Sequence, residues 1–144
     1  DTHSTVKKSM RRLNERYRHY DGVIIDILYD HFLAKNWSKY SKIPLENYAE
    51  NTYDFLQKNV DLFPQRVQNL LPFMINQNWL VSYASLKGIE RILIGMNKRT
   101  KGISQMNLAI EDLKLNYTVL EDDFTCFFED IIKFSEEKTK QLLS

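Results

Sequence analysis

Two aspartates and a histidine, Asp26, Asp30 and His31, stand inside an apolar stretch that runs from Val23 to Ala34. At about 100° per residue, apolar side chains surround this segment on nearly every side, the pattern of a helix buried all round. Asp26 and Asp30 fall one turn apart on a stripe flanked by Val23, Ile27 and Leu33, whereas His31 leaves on a neighbouring face. An unpaired carboxylate in such surroundings costs several kcal/mol, so it must be paired, protonated or bound to a metal. Carboxylate oxygens with one imidazole suit Mn²⁺ or Mg²⁺ better than a structural zinc, which prefers thiolates and imidazoles. Water held at such a site becomes a usable nucleophile near neutral pH, which makes phosphate-ester hydrolysis the natural reaction class. Three residues are too few to close a coordination sphere, so further ligands must come from elsewhere. The competing reading is a buried salt-bridge network with a base such as Arg11, Arg12 or Arg91.

The elements that must hold these residues all read as helices. Val6, Met10, Leu13, Tyr17 and Tyr20 are spaced 4-3-4-3, with Ser4 or Thr5 as N-cap and Asp21-Gly22 as the stop. The apolar helix follows to about Lys35, a loop spans Trp37 to Pro44, and Leu45 to Lys58 forms a further helix. Pro64 opens the next helix, which Pro72 must kink or restart, and Asn76-Gln77-Asn78 breaks the chain before Trp79. Leu86, Ile89, Ile92, Leu93 and Met96 mark another helix, and 98–104 is a basic loop. From Met106 through Ile110, Leu113, Tyr117, Leu120, Phe124, Phe127 and Ile131 to Phe134 the spacing alternates 4-3 without a slip. That seam predicts one long helix from about Gln105 to Leu142, serving as the core helix of a bundle rather than as a coiled coil. The expected architecture is all-α: a single domain over 1–144, with about six to seven helices.

Composition narrows the class. With 144 residues, 43% hydrophobic and 27% charged, the chain has the make-up of one globular domain. Four glycines and three prolines argue against a turn-rich β architecture. The single Cys126 excludes an internal disulfide, reads as a small core residue, and fits a reducing, cytoplasmic compartment. No apolar run is long enough to span a membrane. No glycine-rich phosphate loop, GxSxG or CxxC is present, and His19 reads as surface. Charge is unevenly spread: residues 1–20 hold six Lys or Arg against two acids, and 105–144 hold nine acids against four lysines. A basic first helix would steer an anionic partner, whether nucleic acid, phosphate ligand or acidic protein; a solvated face is the plain alternative.

The run Asp26-x-x-x-Asp30-His31-Phe32-Leu33-Ala34-x-x-Trp37 resembles the acyl carrier protein phosphodiesterase family. So do Asn78-Trp79-Leu80-x-x-Tyr83, Gly88-Ile89, Gly95-Met96-x-x-Arg99 and Asp123-Phe124-x-x-Phe127-Phe128, in that order and together covering nearly the whole chain. The resemblance implies an all-helical enzyme distantly related to the HD metal phosphohydrolases. Such an enzyme uses Mn²⁺ to cleave 4′-phosphopantetheine from the serine of holo-acyl carrier protein, leaving the apo protein. Asp26, Asp30 and His31 are then expected to hold or assist the metal. Family members usually begin with roughly fifty further residues that are expected to carry metal ligands; Asp1-Thr2-His3-Ser4 looks like the tail of that region, with Asp1 a displaced ligand. Acyl carrier proteins are strongly acidic, so Lys7, Lys8, Arg11 and Arg12 are expected to form a docking surface for a protein rather than for nucleic acid, with Arg99 a candidate for the arm's phosphate. The alternatives are an HD-like hydrolase of a nucleotide or small phosphate ester, and a non-catalytic helical interaction module.

Overall fold

The structure, a computed structural model, describes residues 3–143. Among them are nine α-helices, three short 3-10 segments and no strand. The helices are α1 (Ser4–Met10), α2 (Asp21–Lys35), α3 (Trp37–Tyr40), α4 (Leu45–Lys58), α5 (Gln65–Asn76), α6 (Trp79–Ser82), α7 (Leu86–Arg99), α8 (Ala109–Leu115) and α9 (Tyr117–Leu143). The count exceeds six or seven because single turns, α3 and α6, form where the sequence suggested loop or a longer helix.

Helix α2 is the hub, touching α1, α7, α9 and the 3-10 segment Glu15–Tyr20. Its Ile24, Ile25, Leu28 and Phe32 are fully enclosed, among Leu93, Leu113, Leu120 and Phe124. It does not, however, bury every face: Val23, Asp26 and Asp30 form an exposed stripe. The expectation of two interior acids is therefore corrected. An all-round apolar sequence closed three sides of α2 and left the acidic one open.

Three helix boundaries moved for local reasons. Asp21-Gly22 starts α2 instead of ending the first helix: α1 already stops at Met10, and the chain reaches α2 through the 3-10 segment Glu15–Tyr20, in which Arg18 takes a φ of 37°. Pro72 lies within α5 without ending it. The C-terminal seam is continuous in sequence but the backbone breaks at Asn116, whose side-chain amide donates to the Asp112 carbonyl and separates α8 from α9. Asp122-Asp123 does not interrupt α9. The α9 seam reaches the core only as far as Phe128; from Glu129 onward the helix is exposed, Phe134 included. Cys126, expected in the core, is exposed and free.

Gly88 sets one close approach. A Cβ there would collide with the Ser82 carbonyl, so only glycine lets α7 begin tight against α6. Asn78, in the left-handed region with φ 48°, turns the chain into α6. The Tyr53 hydroxyl ties that turn down, donating to Asn78 Oδ1 at 2.9 Å and accepting from the Leu80 amide at 2.9 Å.

Candidate active site

Asp26 lies on the open side of α2, whereas Asp30, one turn on, meets a cleft walled by residues of α3, α4 and α6. Asp26 and Asp30, one turn apart, make no ion pair or hydrogen bond with any other described residue. Asp30 stands at the rim of a cleft of about 150 Å³ whose walls include Leu33, Trp37, Tyr48, Leu80 and Tyr83. Trp37 and Tyr48 lie ring to ring, 4.8 Å between centroids, as one apolar wall. Solvent reaches the Asp30 carboxyl, yet the protein crowded around it raises its pKa from 3.8 to about 6, with the Asp26 charge pushing the same way. Burial also raises Asp26. Burial raises the Tyr83 phenol further from the neutral range, and the Asp30 charge adds to it, so this wall of the cleft is a protonated hydroxyl.

His31 lies next in sequence and elsewhere in space. It is buried, and both ring nitrogens are engaged: Nδ1–H donates to the Tyr83 carbonyl at 2.7 Å, and Nε2 meets the Tyr117 hydroxyl at 2.7 Å. Burial lowers its pKa, so the ring is neutral and Nε2 accepts the Tyr117 proton. Lys35 Nζ sits over the Tyr117 ring at 4.9 Å and pairs with Glu121 at 3.0 Å, and Asn36 Nδ2 also donates to Glu121. His31 thus joins α2 to the Tyr83 backbone and to α9. It is not brought to Asp26 and Asp30, and a cation could reach Nε2 only by displacing Tyr117.

The competing salt-bridge reading fails for these acids but holds for another. Arg12 pairs with Asp123, Nε to Oδ2 at 2.7 Å and Nη2 to Oδ1 at 3.3 Å. Ser9 Oγ donates to the same carboxylate at 2.9 Å and meets the Tyr29 hydroxyl at 2.6 Å. Arg12 and Ser9 hold Asp123 below its ordinary pKa despite burial. The sequence offers Asp123 only within the run Asp123-Phe124-x-x-Phe127-Phe128, with no role of its own; its place between the seam residues Leu120 and Phe124 is the available signal for a buried, partnered acid. Arg12 is accordingly removed from the expected docking set, since its guanidinium is committed inward. Lys7 and Lys8 on α1 and Arg11 at its C-terminal cap are exposed, and Lys7 and Arg11 border an open groove with Arg18. Arg99 is not near the acids: its guanidinium lies over the rings of Phe73 at 5.6 Å and Trp79 at 5.4 Å, across α6 from Asp30. Asp1 lies outside the described residues. Among those residues no three acid, histidine or cysteine side chains converge as a metal cluster.

A statistical model of the acyl carrier protein phosphodiesterase family matches residues 1–131. The chain belongs to this family. Among curated relatives, the acyl carrier protein phosphodiesterase of Photorhabdus laumondii is 28% identical over 139 residues, spanning 96% of this chain and 70% of that protein. The like-named protein of Yersinia enterocolitica is 29% identical over 96% of this chain and 72% of its own length. That of Pectobacterium atrosepticum is 25% identical over 99% and 73%. No solved structure matches the chain. The family match takes in α1 through the buried half of α9, and thus both the Asp30 cleft and the His31 network. No helix among the described residues is long and apolar enough to cross a membrane.

Proposed function

We propose that this member of the acyl carrier protein phosphodiesterase family hydrolyses the phosphodiester between 4′-phosphopantetheine and the carrier protein's serine, releasing the apo carrier protein. The relatives' names supply the activity, and one observation of the fold carries the site: two unpartnered carboxylates one turn apart, of which Asp30 stands at the rim of a cleft. The cleft is large enough for a phosphoryl group and the first atoms of the arm, not for the whole arm.

The residues fit a hard divalent cation in part. Asp26 and Asp30 offer free anionic oxygens, and their mutual repulsion is relieved by positive charge, which suits Mn²⁺ or Mg²⁺. His31 does not fit, because both nitrogens are taken. When bound, such an ion supplies charge neutralisation at the phosphoryl oxygens and a more acidic water. Of the two carboxylates Asp30 is the one at the cleft, and an oxygen it leaves free of the ion is placed to take a proton from an attacking water and return it to the leaving serine oxygen. The Tyr83 hydroxyl, protonated at the cleft wall, is placed to donate to a phosphoryl oxygen. His31 is a positioning residue, fixing the Tyr83 backbone from behind. Lys7, Lys8 and Arg11 face outward as a basic surface for an acidic protein.

Incubation with holo-acyl carrier protein and Mn²⁺, with and without chelator, tests this by intact mass. Loss of the 4′-phosphopantetheine mass is expected with metal and not with chelator, and Asp30→Asn should abolish it while circular dichroism stays helical. Full turnover by Asp30→Asn would overturn the assignment.

A further inference from the structure

Helix α7 contains a glycine that packing does not explain. Gly88 is required by the Ser82 carbonyl, but around Gly95 nothing lies within 4 Å of where a Cβ would stand. A mid-helix glycine weakens a helix by roughly 1 kcal/mol relative to alanine, so an open Gly95 costs stability without a structural return. Arg91 and Arg99 lie one turn before and one turn after it on the same face, with Lys98 adjacent. None of these three cations has a carboxylate within ion-pair distance among the described residues.

Together they border a cleft of about 590 Å³ that no acidic side chain lines. Arg99 is held over Phe73 and Trp79, which fixes the guanidinium plane and leaves its N–H edge for a ligand. Trp79 and Met96 supply apolar wall. The cleft shares no lining residue with the Asp30 cleft: α6 stands between, Trp79 and Ser82 facing this side, Leu80 close to Asp30. Like charges gathered around a concavity repel unless an anion joins them, and a planar guanidinium fork matches phosphate oxygens.

We propose that this α6–α7 cleft is a binding site for a phosphate monoester, separate from the Asp26–Asp30 centre. The phosphate sits over Gly95 between Arg91 and Arg99, and its organic part lies against Trp79 and Met96. A dianion is favoured over a diester because three cations and no acid surround it. The missing Cβ at Gly95 is what lets the phosphate approach the helix. The site does not depend on the reaction proposed above.

The sequence has two tryptophans, so Trp37→Phe leaves Trp79 as the sole indole reporter in the folded chain. Its fluorescence is titrated with phenyl phosphate and with inorganic phosphate, against sodium chloride at matched ionic strength. Saturable binding is expected, weakened about tenfold or more by Arg91→Gln or Arg99→Gln, as for loss of a charged hydrogen bond. Gly95→Leu should abolish it without unfolding the helix bundle. A response to phenyl phosphate alone supports an organic monoester, and one to both supports the phosphate group as the determinant. Asp30→Asn should leave binding intact, which separates this site from the hydrolytic one. If Arg99→Gln unfolds by circular dichroism, Arg91→Gln and Gly95→Leu decide. No saturable response below about 10 mM, or one that survives Arg91→Gln and Gly95→Leu, overturns the proposal.

Discussion

Replacing Asp30 with asparagine should remove activity and strengthen the fold, and the size of the second effect follows from the cleft. In the folded chain the Asp30 carboxyl titrates at about 6 instead of 3.8. At about 1.36 kcal/mol per pKa unit that displacement corresponds to at most about 3 kcal/mol. Solvent reaches the side chain and screens it, which brings the expected figure to about 1–1.5 kcal/mol. The sign follows from proton linkage. Between pH 3.8 and about 6 the folded state holds a proton that the unfolded state has released, so stability falls as pH rises through that window. Above it the wild type carries the whole penalty, and asparagine, which cannot ionise, carries none. Thermal melts in chelator should therefore place Asp30→Asn above wild type by about 3–6 °C at pH 7. Most of that gap should close by about pH 4. Asp26→Asn should pull the Asp30 midpoint downward, readable by carboxyl NMR, because one of its two causes is gone. A melting gap at pH 7 that is absent, or that persists unchanged at pH 4, would refute the account of Asp30 as a crowded, unpartnered acid beside a like charge.

Other perturbations read different parts of the molecule. Arg12→Met strands the Asp123 carboxylate among Ser9 and Tyr29 and should destabilise by about 3 kcal/mol at pH 7 in urea melts. Asp123 has a depressed pKa in the folded state, so its contribution is present above the ordinary carboxylate range and fades as pH falls through the folded value; the loss in Arg12→Met should shrink there too. Gly88→Ala forces a methyl against the Ser82 carbonyl and should lower stability by about 2–4 kcal/mol, whereas Gly95→Ala, with open space around it, should raise it by up to about 1 kcal/mol. Lys8→Glu with Arg11→Glu should weaken carrier-protein binding in titration calorimetry, more at low salt than at high, while the melting temperature stays near wild type.

Much of the scaffold was legible in the chain. The 4-3 spacing gave helices at α1, α4, α7 and along the C-terminal seam, and the asparagines at 76–78 marked the turn into α6. Helical period is a local property, so residues a few positions apart suffice to reveal it. Breaks set at single residues were not legible: nothing in the type of Arg18 announces its positive φ, and nothing in the seam announces the turn at Asn116.

The sequence by itself determined that the chain is helical, that Asp26 and Asp30 share a stripe, and that the first helix is basic. Only the tertiary structure decided which side of α2 stays open, that His31 turns to Tyr83 and Tyr117, and that Arg12 belongs to Asp123 while Lys8 and Arg11 remain free. The reason is physical. A helix's own residues fix which side chains share a face, but what meets that face is supplied by segments fifty to more than a hundred residues away, as with His31 and Tyr83 or Arg12 and Asp123.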